Sequence, residues 1–151
     1  MKILFYLVIG LPVIIAMVFI ILSIASRKQP ELGLVNNQLQ ACPSSPNCVC
    51  SEFSAGDAYI NPLEYSIARK DVWQDIKTVI KSTGGEILQG DEQYLHAIYV
   101  TPLMRYVDDV EFRLDMDHHV IHIRSASRVG RSDMGANRKR VERIRAAFTN
   151  M

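Results

Sequence analysis

The sequence predicts an α+β domain: an antiparallel sheet of about five strands with two amphipathic helices packed on one face, preceded by one N-terminal transmembrane helix. Three observations predict it. Ile3 to Ser26 carries no charged residue. Val110, Phe112, Leu114 and Met116 alternate with Asp109, Glu111, Arg113 and Asp115, the two-residue period of a strand with unlike faces. Two further stretches, around Val72 to Ile80 and Met134 to Phe148, repeat apolar residues every three or four positions, as a helix lying on a core does. A sheet covered by two helices buries both patterns.

The first element separates the chain into unlike parts. Of 151 residues 48% are apolar, and 21 of the first 26 are. The remainder is about 41% apolar, ordinary for a water-exposed domain. That length holds one core and excludes large multidomain enzymes and long repeat arrays. The expected divisions are 1–26, a transmembrane anchor; 27–58, a tether and cysteine loop; and 59–151, the α+β domain.

Roughly 20 apolar residues at 1.5 Å per residue cross a hydrocarbon core of about 30 Å, so the first segment reads as a retained anchor. Ser23-Ile24-Ala25 resembles a signal-peptidase site, but the apolar run exceeds the roughly 7 to 15 residues of a signal-peptide core. Leu39-Gln40-Ala41-Cys42 lies too far beyond that run for a lipoprotein box. Arg27 and Lys28 against Lys2 weakly favour a cytoplasmic domain. The cysteines argue the other way: Cys42 and Cys48 bracket Pro43-Ser44-Ser45-Pro46-Asn47, whose turn residues could bring two sulfurs together in an oxidising compartment. Three reduced thiols, or a zinc site lacking an evident fourth ligand, are the other readings of the cluster.

Residues 27–58 hold Pro30, Gly33, Asn36, Asn37 and Gly56 without a sustained period. Asp71-Val72-Trp73-Gln74 has the form of a capping box, and Val72, Trp73, Ile76, Val79 and Ile80 share the face of a helix that Gly84-Gly85 stops. Glu86 to Gln89 and Tyr94 to Val100 read as strands about a turn at Gly90-Asp91-Glu92, ended by Thr101-Pro102. Then comes a hairpin turning at Asp117-His118 with one wet face, its register pairing Phe112 with Ile123, Arg113 with His122 and Glu111 with Arg124. Asp133 caps a closing helix whose inner face is Met134, Asn137, Val141, Ile144 and Phe148. The Asn137 amide needs partners there, from the Ser125 to Gly130 segment or from Asp108 and Asp109.

Three stretches, Cys42-Pro-Ser-Ser-Pro-Asn-Cys48-Val, Val107-Asp-Asp-Val-Glu-Phe112 and Arg124-Ser-Ala-Ser-Arg-Val-Gly-Arg-Ser-Asp-Met-Gly-Ala-Asn-Arg-Lys-Arg140, together resemble the DUF1499 family, a domain of unknown function, over about residues 40–148. The resemblance implies a protein attached to or exported across a bacterial membrane, with relatives in chloroplasts and no settled catalytic activity. Relatives tend to have Ser where this chain has Cys50, which implies a Cys42–Cys48 disulfide with Cys50 as the spare thiol. It also implies an extracytoplasmic, periplasmic domain on a single-pass cell-membrane anchor.

Chemistry-bearing motifs are few. Gly130-Arg-Ser-Asp-Met-Gly135 has the glycine spacing of a phosphate loop but lacks the Lys and Ser/Thr that should follow, and Ser132 lacks the glycine of a hydrolase elbow. What remains is a helix start with free N–H groups, Gly130, Asp133, Gly135 and three arginines, Arg128, Arg131 and Arg138, a tentative site for an anionic group. The competing reading is a structural network of Asp108, Asp109, Glu111, Arg124, Ser125 and Asn137. Residues 124–145 carry eight basic and two acidic side chains, and 52–117 six basic and thirteen acidic; this polarity suits internal pairing or an anionic lipid headgroup better than nucleic acid. His118, His119 and His122 with Asp115 and Asp117 read as a solvated hairpin tip, and His96 as half-buried. No catalytic residue, metal or cofactor is assigned. The expected function is a binding or assembly module for an envelope protein partner or an anionic, lipid-derived ligand; the alternative is an unrecognised hydrolase or transferase using the Asp108, Asp109, Asp133 and Arg138 neighbourhood.

Overall fold

The structure, a computed structural model, describes residues 2–53 and 56–151, with side chains from residue 10 onward. Helix α1, Lys2–Ala25, contains Pro12 and exposes its described apolar side chains, Ile20, Ile21 and Ile24 each by more than half. The expected membrane span is corrected: among the described residues no helix is long and apolar enough to cross a membrane. The start of the expected span, residues 1–9, lies outside the described side chains. The end of α1 is tied to the domain by Ser26, which is fully buried and whose hydroxyl accepts from Val107 N at 3.2 Å.

The sheet has six antiparallel strands, one more than expected. They are β1 Cys48–Cys50, β2 Leu63–Glu64, β3 Gly85–Gly90, β4 Tyr94–Val100, β5 Val107–Asp115 and β6 Val120–Ser127, interleaved with helices α2 Val72–Ser82 and α3 Ala136–Thr149. The order is β1-β6-β5-β4-β3, with β2 also pairing to β6. Strand β1 lies inside the cysteine segment, where three residues are too few to display a period. Pairing orders it, with Cys48 opposite Ala126 and Cys50 opposite Arg124. The β5–β6 register is the one read from the alternation, Glu111 opposite Arg124, Phe112 opposite Ile123 and Arg113 opposite His122.

Both helices pack on one face. Ile76, Val79 and Ile80 of α2 and Val141, Ile144 and Phe148 of α3 join Leu95, Ala97, Val110, Phe112, Ile121 and Ile123 in one core. Asp71 Oδ1 caps α2 by accepting from Gln74 N at 3.0 Å, and Gly84, at φ +90°, follows its end. Gly85 permits the close approach of β3 to the core: a Cβ there would sit 2.6 Å from the Tyr99 ring.

Two local expectations are corrected. Met134 is 90% exposed because α3 begins later, with Gly135 in the left-handed region at its N-cap. Asp133 still supplies the capping carboxylate, accepting from Gly135 N at 2.9 Å and Asn137 N at 2.7 Å. The second correction is larger. The hairpin face expected to be wet is buried, with Glu111 fully enclosed and Asp109, Arg113 and Arg124 nearly so, and His96 on neighbouring β4, expected half-buried, is fully enclosed as well. Residues 26–52 fold back over it, burying Leu39 and Cys50, so the segment expected as a tether forms the second cover of the sheet.

Candidate functional site

Alternation sends neighbouring strand residues to opposite faces, and this divides the acidic pair. Asp108 lies on the helix side, where its carboxylate accepts from Arg140. Arg140 also donates to Ser125 Oγ. Ser125 Oγ in turn donates to Asn137 Oδ1 at 2.6 Å, while Asn137 Nδ2 donates to Asn47 O at 2.9 Å and Ser127 Oγ at 3.0 Å. The amide thus stitches the cysteine loop, β6 and α3 together. Arg140 is the member that sequence reasoning missed. It sits three residues after Asn137, one helical turn on, but an arginine among basic neighbours gives no sign of burial.

Asp109 faces the other way. Arg128 grips it with Nε at 2.8 Å and NH2 at 2.6 Å, and His96 Nε2 lies 2.7 Å from Oδ1. Burial raises this carboxyl's pKa, but Arg128 and His96 outweigh burial and hold it below the ordinary range. Beside it, Glu111 accepts from Arg124 NH1, from Tyr94 OH (both 2.7 Å) and from Gly33 N at 3.3 Å. A third cluster pairs Arg113 with Glu52 at 2.6 Å and with Asp115 at 3.3 Å, while Leu39 N donates to Glu52 Oε2 at 2.7 Å. Glu52 and Gly33 went unread because their partners, Arg113 and Glu111, lie on a strand far along the chain, and Leu39 because its backbone N–H is held by Glu52.

These groups predict a two-stage acid response. Burial depresses His122 below its ordinary 6.5. The neutral ring is therefore the folded form, and its contribution is complete above pH 6.5 and falls as pH drops toward the folded pKa. Asp115, held down mainly by hydrogen bonds from His118 against its own burial, titrates near 2 instead of 3.8. Its contribution, like that of Asp109, is present above about pH 4 and lost as pH falls through the depressed value. Melting temperature should decline gently below pH 6.5 and more steeply below about pH 4. A His122→Gln variant that kept the first decline would refute the assignment.

The tentative ligand residues do not converge. Asp133, Gly135 and Arg138 line a cleft of about 660 Å³ whose other walls are Pro43 to Pro46, Cys48, Asp57 and Tyr59. Arg138 braces that cleft by donating to Asp57 O and Tyr59 O, both at 2.7 Å. Arg128 lines a different pocket on the far face of the sheet, and Gly130 accepts from Asn47 Nδ2 through its carbonyl at 2.7 Å. Arg131 is exposed. At the start of α3 the Asp133 carboxylate already holds two of the donors an incoming anion would use, and its charge opposes one. Arg145 donates to Pro62 O and Asn61 O at 2.7 and 2.6 Å, so this basic helix spends two arginines on backbone carbonyls.

Cys42 and Cys48 form a disulfide and Cys50 is free and buried; burial pushes the Cys50 thiol pKa up, which makes it a poor nucleophile. Among the described residues no group of three or more His, Cys, Asp or Glu side chains could hold a metal ion. A family model described as a protein of unknown function (DUF1499) matches residues 38–148. The chain belongs to the DUF1499 family. No curated protein and no solved structure matches it. The DUF1499 region begins at the residue before Leu39, so it takes in the disulfide, the cleft and nearly all of the three buried clusters. Helix α1 and the segment carrying Gly33 lie outside it.

Proposed function

We propose that this DUF1499 protein is an extracytoplasmic binding or assembly module of the cell envelope, which docks a protein partner in the cleft between the disulfide loop and α3. The observation that carries this reading is the cleft itself. Its loop wall is clamped by Cys42–Cys48, its opposite wall by Arg138, and it is lined by both apolar and polar groups, as a surface for a peptide segment is. Closing so short a loop contributes about 2 kcal/mol on the chain-entropy estimate, and a structural disulfide supports an oxidising compartment. The hydrolase or transferase alternative has less support, because Asp108 and Asp109 are separated by the sheet and each is engaged by an arginine, which leaves neither free as an acid or base.

Native mass spectrometry of the full chain released gently from cells tests the reading, beside a Ser132→Trp variant that fills the cleft from an exposed position. A protein should co-purify with the parent chain and be lost from the variant at unchanged melting temperature. Thiol alkylation of whole cells without reductant should leave Cys42 and Cys48 unmodified. Retention of the same protein by Ser132→Trp would refute the docking site, and alkylation of all three cysteines would refute the compartment.

A further inference from the structure

A second pocket, of about 380 Å³, lies where the end of α1 meets the buried polar face. It shares none of the α3 residues that line the cleft described above. Its walls are mostly apolar, from Ala25, Pro30, Leu32, Pro43 and Ala126, and three basic residues, Lys28, Arg124 and Arg128, reach it. The three are not equivalent. Arg128 is spent: Nε and NH2 hold Asp109, and NH1 donates to Ser26 O at 3.2 Å and Arg27 O at 3.4 Å. Arg124 is not. It is 7% exposed, only NH1 is engaged, on Glu111 at 2.7 Å, and its buried Nε has no hydrogen-bond partner among the described residues.

A buried guanidinium N–H left without an acceptor is costly, and Arg124, which carries it, is one of the residues lining this pocket. Asp109 and Glu111 balance Arg128 and Arg124, so the exposed Lys28 leaves the pocket one positive charge in excess. A purely ionic ligand would not need the apolar walls. On α1, Ile21, one helical turn before Ala25, and Ile24 are exposed, apolar surface beside the pocket on which a hydrocarbon chain can lie.

We propose that this pocket binds an anionic amphiphile, its phosphate or carboxylate head on Arg124 and Lys28 and its chain along the end of α1. The site shares one wall residue, Pro43, with the cleft and does not require the cleft's partner. Either a phospholipid or a free single-chain amphiphile has this chemistry.

The test is the melting temperature of the full chain in a neutral-detergent micelle, titrated with dodecyl phosphate, dodecyltrimethylammonium or inorganic phosphate. Dodecyl phosphate should raise the midpoint, and the other two should not at equal concentration. Lys28→Glu, at an exposed position, should keep the unliganded midpoint and weaken the dodecyl phosphate response by about tenfold or more, the size of one lost charge-assisted contact. Arg124→Lys keeps the charge but removes the Nε donor, and should weaken it as well. Reconstitution into phosphatidylglycerol or phosphatidylcholine vesicles separates the sources: stabilisation by phosphatidylglycerol identifies a lipid head, and a response to dodecyl phosphate alone identifies a free amphiphile. Equal stabilisation by the cationic amphiphile, or an unchanged response in Lys28→Glu, would overturn the proposal.

Discussion

Glu111→Ala should destabilise the domain by about 3 to 5 kcal/mol, the range for removing one partner of a buried ion pair. Glu111 is fully enclosed, and its two oxygens serve three donors from distant parts of the chain: Arg124, Tyr94 and Gly33. Alanine would leave the guanidinium and the phenol unpaired and loosen the cover that Gly33 anchors. Trp73 is the only tryptophan and packs partly against the helix-side core, so its fluorescence reports global unfolding in denaturant. Lys139→Ala, at an exposed position, should change stability by less than about 0.5 kcal/mol. The double variant Glu111→Gln with Arg124→Met should recover part of the loss, because replacing both partners with uncharged side chains leaves no unpaired buried charge. A single-variant loss below about 1 kcal/mol, the scale of an exposed pair, would show that water reaches this face.

The other large effect is expected at Arg128, where the functional reading from sequence and the structure diverge most. Arg128→Ala should cost about 3 kcal/mol or more, since Asp109 would stay buried with His96 as its remaining partner. The loss of Arg128 also frees the Ser26 and Arg27 carbonyls that hold the end of α1 to the domain. Arg131→Ala, three residues on and exposed, should leave the midpoint within the range of ordinary surface changes, about 0.5 kcal/mol. Limited proteolysis separates the two consequences: cleavage near residues 26–30 should accelerate in Arg128→Ala and not in Arg131→Ala. Equal midpoints for the two arginine variants would mean that Arg128 is a surface residue after all.

The difference between these arginines marks the boundary between local and non-local information. Alternation from Asp109 to Met116 determined a strand, its partner and their register, because side-chain direction in a strand follows from position alone. The spacing of Ile76, Val79 and Ile80 and of Val141, Ile144 and Phe148 determined two helices and the face each buries. Asn137, polar on an apolar face, was legible as a residue needing partners, and Ser125 and Ser127 supply them. The cysteine pairing followed from a family resemblance, and spacing alone left it open.

Tertiary structure alone decided what lies over the second face of the sheet. Charged residues alternating with apolar ones signify solvent only if nothing covers them, and the cover here, from Gly33 through Leu39 to Glu52, has no period of its own. It is held on the sheet by long-range contacts, Gly33 N to Glu111 and Arg113 to Glu52, separated in sequence by 78 and 61 residues. The same limit applies to the arginines. Arg128, Arg131 and Arg138 are equivalent as letters, but burial ties the first to Asp109, Arg138 braces a cleft, and Arg131 stays exposed. A carboxylate close enough to hold a guanidinium is a property of the packed chain, and no local pattern encodes it.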